Sequence, residues 1–327
     1  MKAYATYINS YGDTSVLEYS EIKLDPPKPN EVQIRQHYSG VNYADIYFRQ
    51  GIYKFPALPG ILGIEGMGTI EALGDEVTSF KKGQRIAYAG LPVGSYTSVR
   101  NLAVEKTILL PDAVTDKDAA SIMLRGITAH MLLTENYAFK SGDIILVQAA
   151  AGGLGLVLTQ WIKALGGHVI GTVGSIEKAN LVKKYGIDHV ILYHDEDVVT
   201  AVNRFTNGKG VDYAIDGIGG ATLMQSAKVV RHGGTLASIG QVAGPVNETA
   251  INSICAANSI QFVRPSVMAY MKDQTNYIHG AEAAIRQLQN GLQIIIDAIF
   301  PLNQAARAHQ RLETRKTIGS LLLDTSV

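Results

Sequence analysis

The segment Ile144–Ser175, reading IILVQAAAGGLGLVLTQWIKALGGHVIGTVGS, constrains this chain more than any other stretch. A short apolar run from Ile144 to Ala149 meets a turn of small residues, then a helical pattern, then a second apolar run. Strand, turn, helix and strand in that order form the unit that binds dinucleotides. Aligned to G-x-G-x-x-G, the turn offers Ala150, Gly152 and Gly155, with alanine in place of the first glycine. Gly152 lets backbone approach a pyrophosphate, and Gly155 lets the helix pack closely on the strand. The free N–H groups of the helix start, at Gly152, Gly153 and Leu154, then face the phosphates. A glycine pattern alone is weak evidence. Here Val157, Leu158, Trp161, Ile162 and Leu165 follow at helical spacing and supply the context.

The end of the second apolar run bears on which dinucleotide binds. Sites that prefer NAD place an acid about 20 residues past the glycines, on the ribose 2′-hydroxyl. This chain has Val173, Gly174 and Ser175 there, and no carboxylate before Glu177. Lys178 follows closely, and Tyr193 ends the next apolar run. A carboxylate would repel a 2′-phosphate, whereas Lys178 would neutralise it. The pattern predicts an NADPH site.

With 327 residues the chain is long enough for about two domains. Lys+Arg and Asp+Glu are equal at 29 each, so no global field favours nucleic acid or an acidic substrate. The start, MKAYATYINSYGDTSVL, has no long apolar stretch of the secretory kind. No apolar run approaches a membrane span. Cys255, the one cysteine, cannot form an intrachain disulfide and suits a reducing compartment, so a cytoplasmic location is expected.

The first ~115 residues have a texture of their own. Short β-like runs at Ala3–Ile8, Glu31–His37, Gly68–Ala72, Gln84–Ala89 and Tyr96–Asn101 are separated by turn residues, which reads as an all-β barrel or sandwich. One helical pattern, Tyr43–Gln50, stops at Gly51. From about Asp116 to Val267, helix and strand alternate, with apolar runs at 144–149, 168–173, 189–193, 211–216, 234–239 and 260–263. Six such runs suit a doubly wound parallel sheet. In the tail, Asn276–Asn290 reads as a helix ended by Gly291, Ile294–Ile299 as a strand, Asn303–Glu313 as a helix and Ser320–Leu323 as a last strand. The tail is assigned to the first domain. The expected division is therefore residues 1–120 and 268–327 in a barrel domain and 121–267 in a dinucleotide domain, with a ligand cleft between the two.

Seven blocks carry a family resemblance: GVNYADIYFRQGIY (Gly40–Tyr53), LPGILGIEGMG (Leu58–Gly68), LRGITAHMLL (Leu124–Leu133), VQAAAGGLG (Val147–Gly155), GTVGSIEKA (Gly171–Ala179), FVRPSV (Phe262–Val267) and AARAHQRLETRKTIGSLLL (Ala305–Leu323). With these the chain resembles the medium-chain dehydrogenase/reductase superfamily, and within it the zinc-free, ζ-crystallin-like NADPH quinone oxidoreductases. The resemblance spans essentially the whole chain. It implies an α/β fold, a Rossmann-type doubly wound sheet plus a GroES-like β-barrel domain. At positions equivalent to zinc ligands of other relatives stand Asn42, Ile64 and roughly Arg125. Isoleucine cannot coordinate zinc and arginine is a permanent cation, so no metal is expected.

Without a Lewis acid, an acceptor that is already electrophilic is favoured, such as a quinone or a conjugated carbonyl. The protein must then hold it against the nicotinamide and offer hydrogen bonds to the developing oxyanion. Asn42, Tyr47 and Tyr53 are the catalytic candidates, and Asn42 also reads as a helix N-cap. The resemblance places Tyr43 and Asp45 beside the nicotinamide, and Thr128 and Met131 on its other side. It also implies contacts from Ile239, Gly240 and Gln241 near the ribose, from Val263, Arg264 and Pro265 along the nicotinamide, and from Arg315 near the adenosine phosphate. Glu65 in an apolar stretch calls for a cationic partner, with Arg125 and Arg315 as alternatives. Met131 stands where the group often has tyrosine, and Gly66-Met67 where it often has two alanines, so the acceptor is less determined than the cofactor. Two further readings stay open: reduction of the C=C bond of α,β-unsaturated ketones, aldehydes or thioesters, and a non-catalytic NADPH-binding or AU-rich RNA-binding role. The apolar strand near Ile260–Val263 is expected at a sheet edge, where relatives pair as dimers.

Overall fold

The computed structural model describes residues 2–244 and 246–326. It divides into two compact units, Met1–Ile127 with Met271–Val327, and Thr128–Tyr270.

The first unit contains β1 (Lys2–Ile8), β2 (Leu17–Lys23), β3 (Glu31–Val41), α1 (Tyr43–Gln50), β4 (Gly60–Ile61), β5 (Glu65–Leu73), β6 (Arg85–Ala89), β7 (Val99–Ala103) and β8 (Ile108–Leu109). Helix α2 (Asp116–Thr134) runs through the division. A three-stranded sheet has the order β2-β1-β4, and a seven-stranded sheet is completed by the chain's tail. The sequence-predicted strand Tyr96–Asn101 is observed as Val99–Ala103. The reason is that the segment serves two sheets. Thr97 bridges Ala5 of β1, and Val99–Ala103 then pairs antiparallel with β3. Strand β2 escaped the sequence reading. Its alternating LEYSEIK is only half-buried, and its place comes from pairing along the whole of β1, from Lys2 opposite Lys23 to Ile8 opposite Leu17.

Helix α1 is bounded locally. Asn42 at the N-cap is extended, and the Asp45 carboxylate at the third helical position accepts the Asn42 N–H at 2.8 Å. Gly51 closes the helix in the left-handed region at φ 75°.

The second unit contains β9 (Ile144–Val147), α3 (Gly153–Ala164), β10 (His168–Val173), α4 (Ile176–Lys183), β11 (His189–Leu192), α5 (Val198–Phe205), β12 (Val211–Asp216), α6 (Gly220–Val229), β13 (Val230–Ser238), α7 (Glu248–Ala257), β14 (Gln261–Val263) and α8 (Val267–Tyr270). All six strands run parallel in the order β11-β10-β9-β12-β13-β14. That is the doubly wound arrangement, and its strand order reverses between β9 and β12. The strands read as continuous apolar runs because helices cover both faces. Ile145, Leu146, Val169, Ile170, Ala214 and Leu236 are all buried. Strand β14 lies at the sheet edge, as its sequence predicts. On α3, Val157, Leu158, Trp161 and Ile162 are buried, whereas Leu165 is the exposed C-cap and does not belong to the apolar face.

The tail adds α9 (Gln274–Gln289), β15 (Ile296–Pro301), α10 (Ala305–Glu313) and β16 (Ser320–Asp324). Strand β16 pairs with β15 on one side and with β3 on the other, Leu321 opposite Val41. This register welds the tail into the first unit.

Candidate active site

In the first unit the site is built around a buried carboxylate. Glu65 opens β5 and is fully enclosed. Its Oε1 accepts from Asn42 Nδ2 at 2.8 Å and from Arg125 Nη1 at 3.0 Å, and its Oε2 accepts from the Leu124 N–H at 2.8 Å. The structure therefore selects Arg125, not Arg315, as the cationic partner. Burial pushes the Glu65 carboxyl up, and Arg125 and the donated hydrogen bonds pull against it. Room for the carboxylate comes from Gly40, where a Cβ would lie 2.2 Å from Glu65 Oε1. The Asn42 amide, used in this way, keeps its helix-start position while its side chain turns to Glu65.

Three residues beyond Asn42, Asp45 is also fully buried. Its Oδ2 accepts from Asn42 N–H and from Tyr96 Oη at 3.3 Å, while Oδ1 has no partner among the described residues. Burial raises its pKa to about 7, and the charge on Glu65 adds to the effect. This enclosure corrects one expectation. The Asp45 carboxylate has no open face for a cofactor, and it acts on the site by holding Asn42. Behind it runs a network that sequence reasoning missed: Tyr96 Oη meets His309 Nε2 at 3.1 Å, and His309 Nδ1 meets Arg49 Nη1 at 3.2 Å. Arginine can only donate, so His309 Nδ1 accepts, and its Nε2–H then donates to Tyr96. Arg49 also binds Glu313 at 2.6 Å. The signal was available: Ala305, Ala308, His309 and Leu312 all lie buried on one face of α10, at helical spacing.

Tyr47 and Tyr53 meet edge to face, with ring centroids 5.5 Å apart, and the Tyr53 N–H donates to the Tyr47 carbonyl. Tyr53 is 40% exposed, and partial burial pushes its phenol up. Tyr43 donates its hydroxyl to the Leu312 carbonyl at 3.0 Å, close enough to Arg315 to feel its charge. The structure thus brings Tyr43 and Arg315 together.

In the second unit Gly155 packs α3 closely on the turn after β9. A Cβ on Gly155 would lie 2.5 Å from the Ala149 carbonyl oxygen, so only glycine lets α3 sit this close. Gly152 is the N-cap of α3, followed by Gly153 and Leu154 in the first turn. The left-handed residue is Ala149, at φ 54°. At the end of β10, Ser175 caps α4 by accepting the Lys178 N–H at 3.3 Å. The Tyr193 hydroxyl lies over Gly174, 2.5 Å from where a Cβ would stand. Gly174, Ser175 and Tyr193 therefore lie together at the start of the helix that carries Lys178.

Ile239, Gly240 and Gln241 follow β13 and pack against the loop after β12. A Cβ on Gly240 would lie 2.3 Å from the Gly217 oxygen, and the Ile239 N–H donates to the Asp216 carbonyl. Asp216 was not foreseen. It is fully buried, and its carboxylate accepts from the Ile218 and Gly219 N–H groups at 2.8 Å each and from Ser226 Oγ at 3.0 Å. Beyond Val263, Arg264 is paired with Glu248 at 2.6 Å, ahead of Pro265. Thr128 and Met131 lie on α2 and are buried. Among the described residues no three His, Cys, Asp or Glu side chains are grouped to hold a metal. No helix among them is long and apolar enough to cross a membrane.

Two family models match the chain, one described as an alcohol dehydrogenase GroES-like domain over residues 28–112 and one as a zinc-binding dehydrogenase over residues 153–277. A quinone oxidoreductase of Pseudomonas aeruginosa is 40% identical over 315 residues, covering 96% of this chain and 97% of that protein. A 2-haloacrylate reductase of Burkholderia sp. is 34% identical, covering 98% of each. Among solved structures, the Escherichia coli quinone oxidoreductase complexed with NADPH aligns with a TM-score of 0.93 at 34% identity, covering 98% of this chain and 99% of that one. With such similarity along nearly its full length, the chain belongs to the medium-chain dehydrogenase/reductase superfamily, in its quinone oxidoreductase group.

Proposed function

We propose that this chain is an NADPH-dependent quinone reductase that works without a metal. The observation that carries the cofactor assignment is the end of β10. Gly174 lies under the Tyr193 hydroxyl, Ser175 caps the helix that carries Lys178, and no carboxylate comes before Glu177 to oppose a 2′-phosphate. Solved relatives complexed with NADPH support the same reading. The residues fit that cofactor: Gly152, Gly153 and Leu154 would hold the pyrophosphate, and Lys178 the 2′-phosphate. Ile239, Gly240, Gln241 and Val263, Arg264, Pro265, together with Thr128 and Met131, would line the nicotinamide side. Bound NADPH supplies a hydride.

The protein's own work is to orient the acceptor and to stabilise charge on its oxygen. Tyr47 and Tyr53 would donate phenolic hydrogen bonds there. Asn42, fixed by Glu65 and Asp45, sets the start of the helix that carries Tyr47. At the positions equivalent to zinc ligands, Asn42 and Arg125 turn N–H donors toward Glu65, and Ile64 is buried and apolar. That donor set does not fit a zinc ion. The setting we infer is cytoplasmic, in keeping with a single buried cysteine. A homodimer through edge strand β14 completes the reading, and a monomer at micromolar concentration in sedimentation would refute that part.

Lys178→Glu tests the cofactor assignment. Binding titrations should show NADPH weakened at least tenfold more than NADH, whereas equal losses would sink the assignment. Similarity to the 2-haloacrylate reductase favours a second reading, reduction of a conjugated C=C bond. Turnover of 1,4-benzoquinone and a 2-enal side by side separates the two. Inert quinones and rapid enals would replace the first reading with the second.

A further inference from the structure

A chain of hydrogen bonds, buried beyond its first link, crosses the second unit directly below the point where its strand order reverses. The Ala149 N–H donates to Thr172 Oγ1 at 3.2 Å, and Thr172 Oγ1 donates to Gln148 Oε1 at 2.6 Å. Gln148 Nε2 donates to Ser226 Oγ at 3.0 Å, and Ser226 Oγ donates to Asp216 Oδ2 at 3.0 Å. Gln148, Thr172, Ser226 and Asp216 are each at most 7% exposed. The chain starts at the left-handed residue of the turn after β9, crosses β10, and ends at the carboxylate that ties down the loop after β12.

We propose that Thr172, Gln148, Ser226 and Asp216 form a positioning relay that fixes the pyrophosphate-side turn and the nicotinamide-side loop as one object. The proposal rests on the reading of this unit as an NADPH site. Its physical basis is direction. A backbone N–H can only donate and a carboxylate accepts, so every intervening proton points from Ala149 toward Asp216. The Gln148 amide is fixed by the same logic. Turning it over would set its Oε1 toward Ser226 and leave the Thr172 proton without an acceptor. Cutting one link therefore frees the amide and loosens both ends. Ala149 feels this most, because its left-handed conformation costs an alanine energy that the surroundings must hold in place. At the other end, Asp216 fixes Ile218 and Gly219, and the same loop packs backbone to backbone on Gly240. These are positioning residues: they act through Ala149 and the loop after β12.

The test uses Ser226→Ala, Thr172→Val, the double variant and the conservative Thr172→Ser. The readouts are the dissociation constants of NADPH and of 2′,5′-ADP, which carries only the adenosine side, and kcat with 1,4-benzoquinone. Each single cut should weaken NADPH at least threefold more than 2′,5′-ADP, which makes no contact on the nicotinamide side, and should lower kcat at least fivefold. The double variant should be no worse than the poorer single one, because the relay is already broken, and Thr172→Ser should restore kcat. Multiplying losses in the double variant, equal losses for NADPH and 2′,5′-ADP, or unchanged kcat would each overturn the relay. Should Ser226→Ala fail to fold, Gln148→Met cuts the same chain with a side chain of similar volume. If the wild-type protein binds neither NADPH nor 2′,5′-ADP, the cofactor reading falls, and that failure is distinct from the others.

Discussion

Replacing Asp45 with asparagine should change how stability depends on pH, in a direction and by an amount the site dictates. Burial raises the Asp45 carboxyl from 3.8 to about 7. The folded protein therefore keeps this proton between about pH 4 and 7, where the unfolded chain releases it. Stability from this residue is fully present below about pH 4 and is lost as pH rises through 7. At about 1.4 kcal/mol per tenfold change in proton affinity, the loss reaches about 4 kcal/mol, of which about 3 kcal/mol falls between pH 5 and 8. His309 contributes with the opposite sign. Burial and Arg49 lower its pKa to about 3, so the unfolded chain takes up a proton below about 6.5 and stability is lost as pH falls. That contribution is common to both proteins and cancels in their difference. Asparagine places an N–H₂ where Oδ1 has no partner, at a cost of about 1–3 kcal/mol that does not depend on pH. The slope is therefore the predicted quantity. Urea unfolding at pH 5, 6, 7 and 8 measures it, followed by near-ultraviolet dichroism of tyrosines, because the one tryptophan, Trp161, belongs to the second unit. The variant should gain about 3 kcal/mol on the wild type between pH 5 and 8. Parallel profiles, or a gain in the other direction, would refute the reasoning.

Arg125→Met should destabilise the first unit by about 3–5 kcal/mol, since it strands Glu65 as a buried charge, and adding Glu65→Gln should recover part of that loss in the same unfolding experiment. Gly40→Ala should cost more than about 2 kcal/mol, because the new Cβ needs the space of the Glu65 carboxylate and of the Ala120 carbonyl. Its kcat should fall with its stability; an unaffected protein would show that Glu65 has another seat. Gly155→Ala should weaken NADPH by roughly tenfold in titrations, since the helix must withdraw from the Ala149 carbonyl and take its N–H groups with it.

Features with a local cause were legible in the sequence. Helix α1 was bounded at both ends because Asn42, Asp45 and Gly51 are local signals. The parallel strands were found because burial on both faces leaves long apolar runs, and the first of them, Ile144–Val147, was overextended by two residues into the turn. Misreadings came where the partner decides. Residues 96–101 read as one strand, yet they change sheets after Thr97, which depends on where Ala5 lies. Leu165 fits the helical spacing, but the helix closes there, just ahead of Gly166 at φ 83°.

The block Gly40-Val41-Asn42-Tyr43-Ala44-Asp45 shows why a motif can be read and its reason still missed. Along the chain it reads as part of a family block and as a helix cap at Asn42, each sufficient by itself. In three dimensions Gly40, Asn42 and Asp45 share one task. Gly40 leaves space that the Glu65 carboxylate fills, Asn42 binds that carboxylate with its side chain, and Asp45 holds Asn42 by its N–H. Two buried acids so close would repel, and the pair is tolerable because Arg125 faces one while the other keeps its proton to about pH 7. The cation was ambiguous in the sequence because Arg125 and Arg315 are equally remote from Glu65 by any local rule. Helix α2 brings Arg125 to β5, whereas Arg315 follows α10 and lies beside Tyr43. Spacing identifies the residues of such a site, and only the sheet and helix that meet there determine which charge answers which.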